Sequence, residues 1–161
     1  MNLIKLITKI LPAKRIYAHC DIPCKIYDPY AAQIAAHSVI RMTQMLIELE
    51  NEGDDKAYHS QIARLTKVKE DHAEICKHEV RVIWGDYFKP EMIEKFPDLH
   101  TLVFEIMHFA SKARQTIDLE ASRELLSKVQ QFAEMFYQSK DMESFRIPSG
   151  FPTEGEIVIH K

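Results

Sequence analysis

Two cysteines four residues apart, Cys20 and Cys24, stand in a stretch that begins at His19 and carries Pro23 between them. Proline is poorly tolerated inside a helix, so the chain here can fold back and aim both sulfurs at one point. Thiolates are soft ligands that select copper(I), zinc, iron–sulfur or nickel chemistry over magnesium or calcium. The imidazole of His19 adds a nitrogen donor next to Cys20. A structural or redox pair of cysteines would look the same, and spacing alone does not decide between the two.

Composition bounds what surrounds this segment. A chain of 161 residues, 46% hydrophobic and 28% charged, predicts one soluble domain with a substantial core. No run approaches the roughly 18 apolar residues of a membrane span, so no stable membrane association is expected. Four glycines leave no Gly-rich phosphate loop, and three cysteines do not make a disulfide framework. Residues 1–18 carry Lys5, Lys9, Lys14 and Arg15 and no acid; taking those four cations from the net charge of −3 leaves −7 on the remainder. Nucleic acid is therefore not an expected partner of the globular part.

Within residues 1–18, Leu3, Ile4, Ile7, Ile10 and Leu11 recur at helical spacing with lysines opposite. Lys5 and Lys9 interrupt the apolar stretch that a secretory signal needs, so a cytoplasmic location is expected. A processed leader, a membrane-surface anchor and a helix packed on the domain all fit such a pattern.

From Asp28 onward the period is helical. Asp28-Pro29 reads as an N-cap and first helical residue, with Ala31, Ile34, Ala35, Ser38, Met42, Met45, Leu46 and Leu49 on one face and Gly53 as the stop. Asp54 or Asp55 starts a second helix with Ile62, Leu65, Val68, His72, Ile75, Cys76, Glu79 and Ile83 in register, ending near Gly85. A short helix over 90–96 precedes one over 97–114, whose stripe is Leu99, Leu102, Val103, Ile106, Phe109, Ala110 and Ala113. The last begins near Thr116 or Asp118 and buries Leu125, Leu126, Val129, Phe132, Ala133 and Phe136. These elements predict an all-α, up-down four-helix bundle within residues 19–142, behind the His19–Cys24 segment. Residues 143–161 hold two prolines and two glycines without helical period, which predicts an irregular tail with at most a short strand at Ile157–Ile159.

The run from His19 to Pro29 (His-Cys-Asp-Ile-Pro-Cys-Lys-Ile-Tyr-Asp-Pro) resembles the nickel-hook motif H-C-D-x-P-C-x-x-Y-D-P of the nickel-containing superoxide dismutases. A second block, from Trp84 through Pro90 and from Glu94 through His100, is similar to that family as well. The resemblance runs from His19 to about residue 140, and the tail looks like an addition.

The resemblance implies a chemistry. A leader, residues 1–18, would be removed by a processing protease so that His19 becomes the first residue. One nickel ion per chain would then be held by the free amine of His19, the amide nitrogen and thiolate of Cys20, and the thiolate of Cys24, with the His19 imidazole as axial ligand. Superoxide is the implied substrate, disproportionated to oxygen and hydrogen peroxide as nickel cycles between +2 and +3. Active-site roles fall to Tyr27 as the gate beside the open metal face, to Tyr87 in support, and to Asp21, which with Pro23 would shape the hook. Lys89 and Lys25 are candidates for attracting the anionic substrate to an acidic protein. Family members assemble as homohexamers, so self-association is implied too.

The sequence also departs from the family. Where relatives orient the axial histidine with a glutamate held by an arginine, alignment on the two motifs puts Ala35 and His72. Groups behind metal ligands commonly matter 10–100-fold. Either His72, expected on the buried face of its helix, orients His19 directly, or the ligand is loose. A helical protein that binds nickel or copper without catalysis, or senses redox state through Cys20 and Cys24, is the alternative function. Two lesser arrangements stand elsewhere: His72 and Cys76, one turn apart, lack a second ligand pair for zinc, and Glu105 with His108 lacks the second motif of a di-iron bundle.

Overall fold

The computed structural model describes residues 25–161; the expected leader, residues 1–18, and His19, Cys20, Asp21, Pro23 and Cys24 lie outside the described residues. Asp28 starts the first helix by accepting the Tyr30 N–H at 2.7 Å, and α1 runs Tyr30–Glu48. Asn51 accepts the N–H of Gly53, whose φ of 98° reverses the chain. Asp54 then caps α2, Asp55–Val82, through the N–H groups of Lys56 and Ala57. A π-turn, Ile83–Tyr87, ends that helix in place of a stop at Gly85. The short helix α3 is Pro90–Ile93, α4 is Leu99–Gln115, and α5 is Leu119–Gln138, capped by Asp118 on the Ala121 N–H.

Each long helix touches two others: α1 lies on α2 and α5, and α4 closes the ring against the same two. This is the expected four-helix bundle. The stripes of α4 and α5 are buried as the periodicity requires, apart from Phe109, which is half-buried.

The first two helices correct the expected faces. On α1 the buried set is Ala32, Gln33, Ala35, Ala36, His37, Val39, Ile40, Thr43 and Leu46, while Ala31 is exposed and Ile34, Ser38, Met42, Met45 and Leu49 are half-buried. On α2 it is Leu65, Lys69, Ala73, Cys76 and Val80, flanked by half-buried Ile62, Val68, His72 and Glu79, with Ile75 43% exposed. Periodicity finds a stripe but does not fix its rotation to within one row when apolar residues flank it on both sides.

The tail is also corrected. Residues Ser144–Pro148 (β1) and Glu156–His160 (β2) form an antiparallel hairpin with Phe145 opposite Ile159 and Ile147 opposite Ile157. It packs on α1 and α5 and buries Ile157 and Val158. The hairpin explains the rotation of α1: with a third neighbour, its buried sector widens to take in Gln33 and His37. Gly155 is required at the loop, because a Cβ there would meet His37 Cε1 at 2.8 Å.

Candidate metal centre

Residues 25–29 lead from the hook segment into α1. Lys25 is exposed and turns the chain with a φ of 54°. Tyr27 is half-buried, its ring 5.7 Å from that of Tyr87. Tyr87 is delivered by the π-turn and stands on Phe88 and Phe136, with centroids at 5.1 and 4.8 Å. Ser139 donates its hydroxyl proton to the Phe136 carbonyl at 2.6 Å, so the 2.8 Å contact between Tyr87 and Ser139 has the phenol as donor. The Tyr87 ring is thus held by packing and its hydroxyl by a defined proton direction.

Asp28 does two jobs. One carboxylate oxygen accepts the Tyr30 N–H just ahead of α1, where Pro29 and not Asp28 is the N-cap, and the other accepts from the Tyr137 hydroxyl at 3.4 Å. Burial, and then the charge of Asp28, push the Tyr137 phenol well above its ordinary pKa, so it remains a donor. Ser139, Lys140 and Tyr137 were missed in the sequence because they lie more than fifty residues from Tyr87 or Asp28 and belong to no motif. Lys140 sits with its Nζ 4.7 Å from the Phe136 ring centroid and 5.9 Å from that of Tyr87. Lys89, the sequence candidate, is exposed and donates to the Asp86 carbonyl at 2.8 Å.

His72 is half-buried on α2, rather than fully on the buried face. Its Nδ1 lies 2.8 Å from the Val68 carbonyl. A carbonyl only accepts, so Nδ1 carries a proton, and in the neutral ring Nε2 is the acceptor. Val68 shares a cavity with Ile34, Ser38 and Met42 of α1. One turn along an antiparallel neighbour moves about 5.4 Å toward the start of α1, the end at which the described residues begin. Ala35 is 1% exposed and packed in the core.

The lesser arrangements do not assemble. Cys76 is fully buried, and burial pushes its thiol up to about 12, which disfavours the thiolate a metal needs. Glu105 pairs with Lys128 at 2.8 Å. No group of three or more His, Cys, Asp or Glu able to hold a metal occurs among the described residues. No helix among them is long and apolar enough to cross a membrane.

A helical bundle preceded in sequence by a histidine and two closely spaced thiols belongs to the class of helical proteins open to soft-metal chemistry. Comparison with known proteins specifies which. The family model for nickel-containing superoxide dismutase matches residues 14–140. The superoxide dismutase [Ni] of Streptomyces seoulensis is 39% identical over 129 residues, covering 80% of this chain and 93% of that protein. Its counterpart from Streptomyces coelicolor is 36% identical over the same extent. A native nickel superoxide dismutase crystal structure is similar with a TM-score of 0.68 and 35% identity, covering 76% of this chain and 99% of that one. The chain belongs to the nickel-containing superoxide dismutase family. It is a superoxide dismutase, and nickel is its cofactor.

Proposed function

We propose that disproportionation runs at the N-terminal hook, with His19, Cys20 and Cys24 as the nickel ligands once cleavage after Ala18 has freed the His19 amine. The donor chemistry fits: two thiolates with nitrogen ligands suit nickel, and the bound metal supplies a one-electron couple between superoxide and its two products. Two superoxide ions and two protons give one oxygen and one hydrogen peroxide. While Ala18 remains attached, His19 has an amide in place of an amine, so the precursor lacks one ligand.

The observation that carries this reading is the packing of Tyr27, three residues after Cys24, against Tyr87 of the second motif at 5.7 Å. Two tyrosines from separate motifs, meeting three residues past Cys24 in sequence, make a small polar-tipped gate. Their hydroxyls order water and admit a diatomic anion while excluding bulkier ones. Asp21 and Pro23 shape the hook. His72 Nε2, an acceptor by the tautomer derived above, is suited to receive an N–H from the His19 imidazole and so replace the missing glutamate. Lys25 and Lys89 add positive charge at the approach, and Lys140 adds more beside Tyr87. Assembly into a homohexamer, a processing protease as partner and a cytoplasmic location complete the proposal.

The test is intact mass and metal analysis of protein made with nickel and a matching protease, followed by stopped-flow superoxide decay. A chain beginning at His19 with about one nickel and rapid decay is expected. Trimmed protein that carries no nickel refutes the hook assignment. Nickel without turnover favours the sequestering or redox-sensing alternative.

A further inference from the structure

The hairpin lies beyond residue 140, where the family match ends, yet its contacts converge on the start of α1. Gln33, fully buried one turn into α1, pairs with β2 through both ends of its amide. Its Oε1 accepts the Val158 N–H at 2.6 Å and its Nε2 donates to the Val158 carbonyl at 3.0 Å. One turn further, His37 uses both ring nitrogens on the hairpin. Nε2 donates to the Glu156 carbonyl at 3.0 Å, and Nδ1 lies 2.7 Å from Thr153 Oγ1. On the other side Gln130 of α5 donates to the same Glu156 carbonyl, and Arg146 pairs with Glu134 at 2.6 Å. At the strand end the His160 ring stands 4.8 Å from Tyr137, whose hydroxyl reaches Asp28. A cleft of about 530 Å³ between Asp28, Tyr30, Ala31, Tyr137, Ile159 and His160 brings the extension to the place where the chain enters α1.

We infer that the C-terminal hairpin is a positioning element for the nickel hook, acting through Gln33 on the first turn of α1 and through Tyr137 on Asp28. This rests on the assignment of His19, Cys20 and Cys24 as ligands. Asp28 is four residues from Cys24, so little chain separates the anchored backbone from the metal donors. Whatever fixes the backbone at Asp28 therefore limits the positions open to donors four residues upstream. The buried amide pair suits this purpose better than apolar packing alone. It has one register, because leaving the Val158 N–H and carbonyl unpaired in the interior is costly, whereas apolar contacts tolerate sliding.

The test uses trimmed, nickel-loaded protein and compares Gln33→Leu with Val103→Ala, a core change on α4 away from the hairpin. Readouts are thermal midpoint, nickel loss to a chelator, and the EPR spectrum of the oxidised protein. Gln33→Leu is expected to release nickel on the order of 3- to 10-fold faster than wild type, toward the lower end for groups behind metal ligands, with an altered EPR spectrum. Val103→Ala should lower the midpoint while leaving both nickel readouts at wild type. Tyr137→Phe keeps the ring, and it should move nickel release in the same direction with little change in midpoint. If Gln33→Leu does not fold, Tyr137→Phe decides the matter by itself. Nickel release and EPR unchanged from wild type in the folded variants would overturn the inference. Wild-type trimmed protein without nickel refutes the ligand assignment instead, and the inference falls with it.

Discussion

Val158→Ala asks whether the hairpin is part of the cooperative core or an ornament on it. Val158 is fully buried in the core cluster with residues of α1 and α5. The substitution removes two methyl groups, at about 0.8 kcal/mol each by transfer. The side chain lies between two helices and a strand that cannot all close on the gap, so a cavity cost adds to this and brings the total to about 2 kcal/mol. For a chain of this size that lowers the thermal midpoint by about 4–8 °C. Ile147→Ala is the matched comparison: Ile147 belongs to the other strand but is 37% exposed, and its truncation should cost well under 1 kcal/mol. Thermal melts give the two midpoints, and hydrogen exchange of the Val158 amide reports whether the strand opens with the domain or before it. Equal, small shifts for the two variants would refute the reasoning, since they would mean that burial of Val158 contributes nothing to the cooperative unit.

Further outcomes follow from the buried groups. Burial lowers the pKa of His37 below its ordinary 6.5, its hydrogen bond to the Glu156 carbonyl opposing only in part. The neutral ring's stabilisation is therefore complete above about pH 6.5 and is lost as pH falls from there through the folded value. Urea melts at pH 7.5 and 5.5 should show a greater loss for wild type than for His37→Asn, and equal losses would contradict this. Lys69 is 2% exposed and donates to the Thr116 carbonyl; burial lowers its pKa, with the Glu70 charge opposing. Below that value the folded state carries a desolvated charge, so stability relative to Lys69→Met should rise as pH increases toward 10.5, and a flat difference in melts at pH 7.5 and 9.5 would refute it. His72→Ala should lower kcat/KM by 10–100-fold if His72 orients the axial ligand, with a midpoint change of only a few degrees. A large midpoint loss with unchanged specific activity of the remaining folded protein would make His72 a core residue.

Much of the bundle was legible because it depends on local, periodic properties. Asp28, Asp54 and Asp118 each sit at the start of a helix and accept an early backbone N–H, a preference written in the residue type and its neighbours. The stripes of α4 and α5 were legible because polar residues bracket them. Those of α1 and α2 were not placed to the row, since Ile34, Met42 and Val68 beside the true stripe look equally apolar. Gln33 and Lys69 were invisible as buried residues: a polar side chain enters a core only where a specific partner waits, and the partners are Val158, 125 positions away, and Thr116, 47 positions away.

The sequence by itself set out the chemistry on offer: a histidine and two thiols ahead of the bundle, a tyrosine three residues on, and a second aromatic block sixty residues later. Residue type and short-range spacing put those groups on view because they are neighbours along the chain, while the likeness to a family, and not the spacing, pointed to nickel. Only the tertiary structure decided that Tyr27 meets Tyr87, that Ser139 fixes the Tyr87 proton, and that a two-stranded extension grips the first turn of α1. Those contacts join segments whose separation in sequence carries no period or motif, and they exist only once helix burial has brought residues 27–33 close to residue 87 and to residues 136–160.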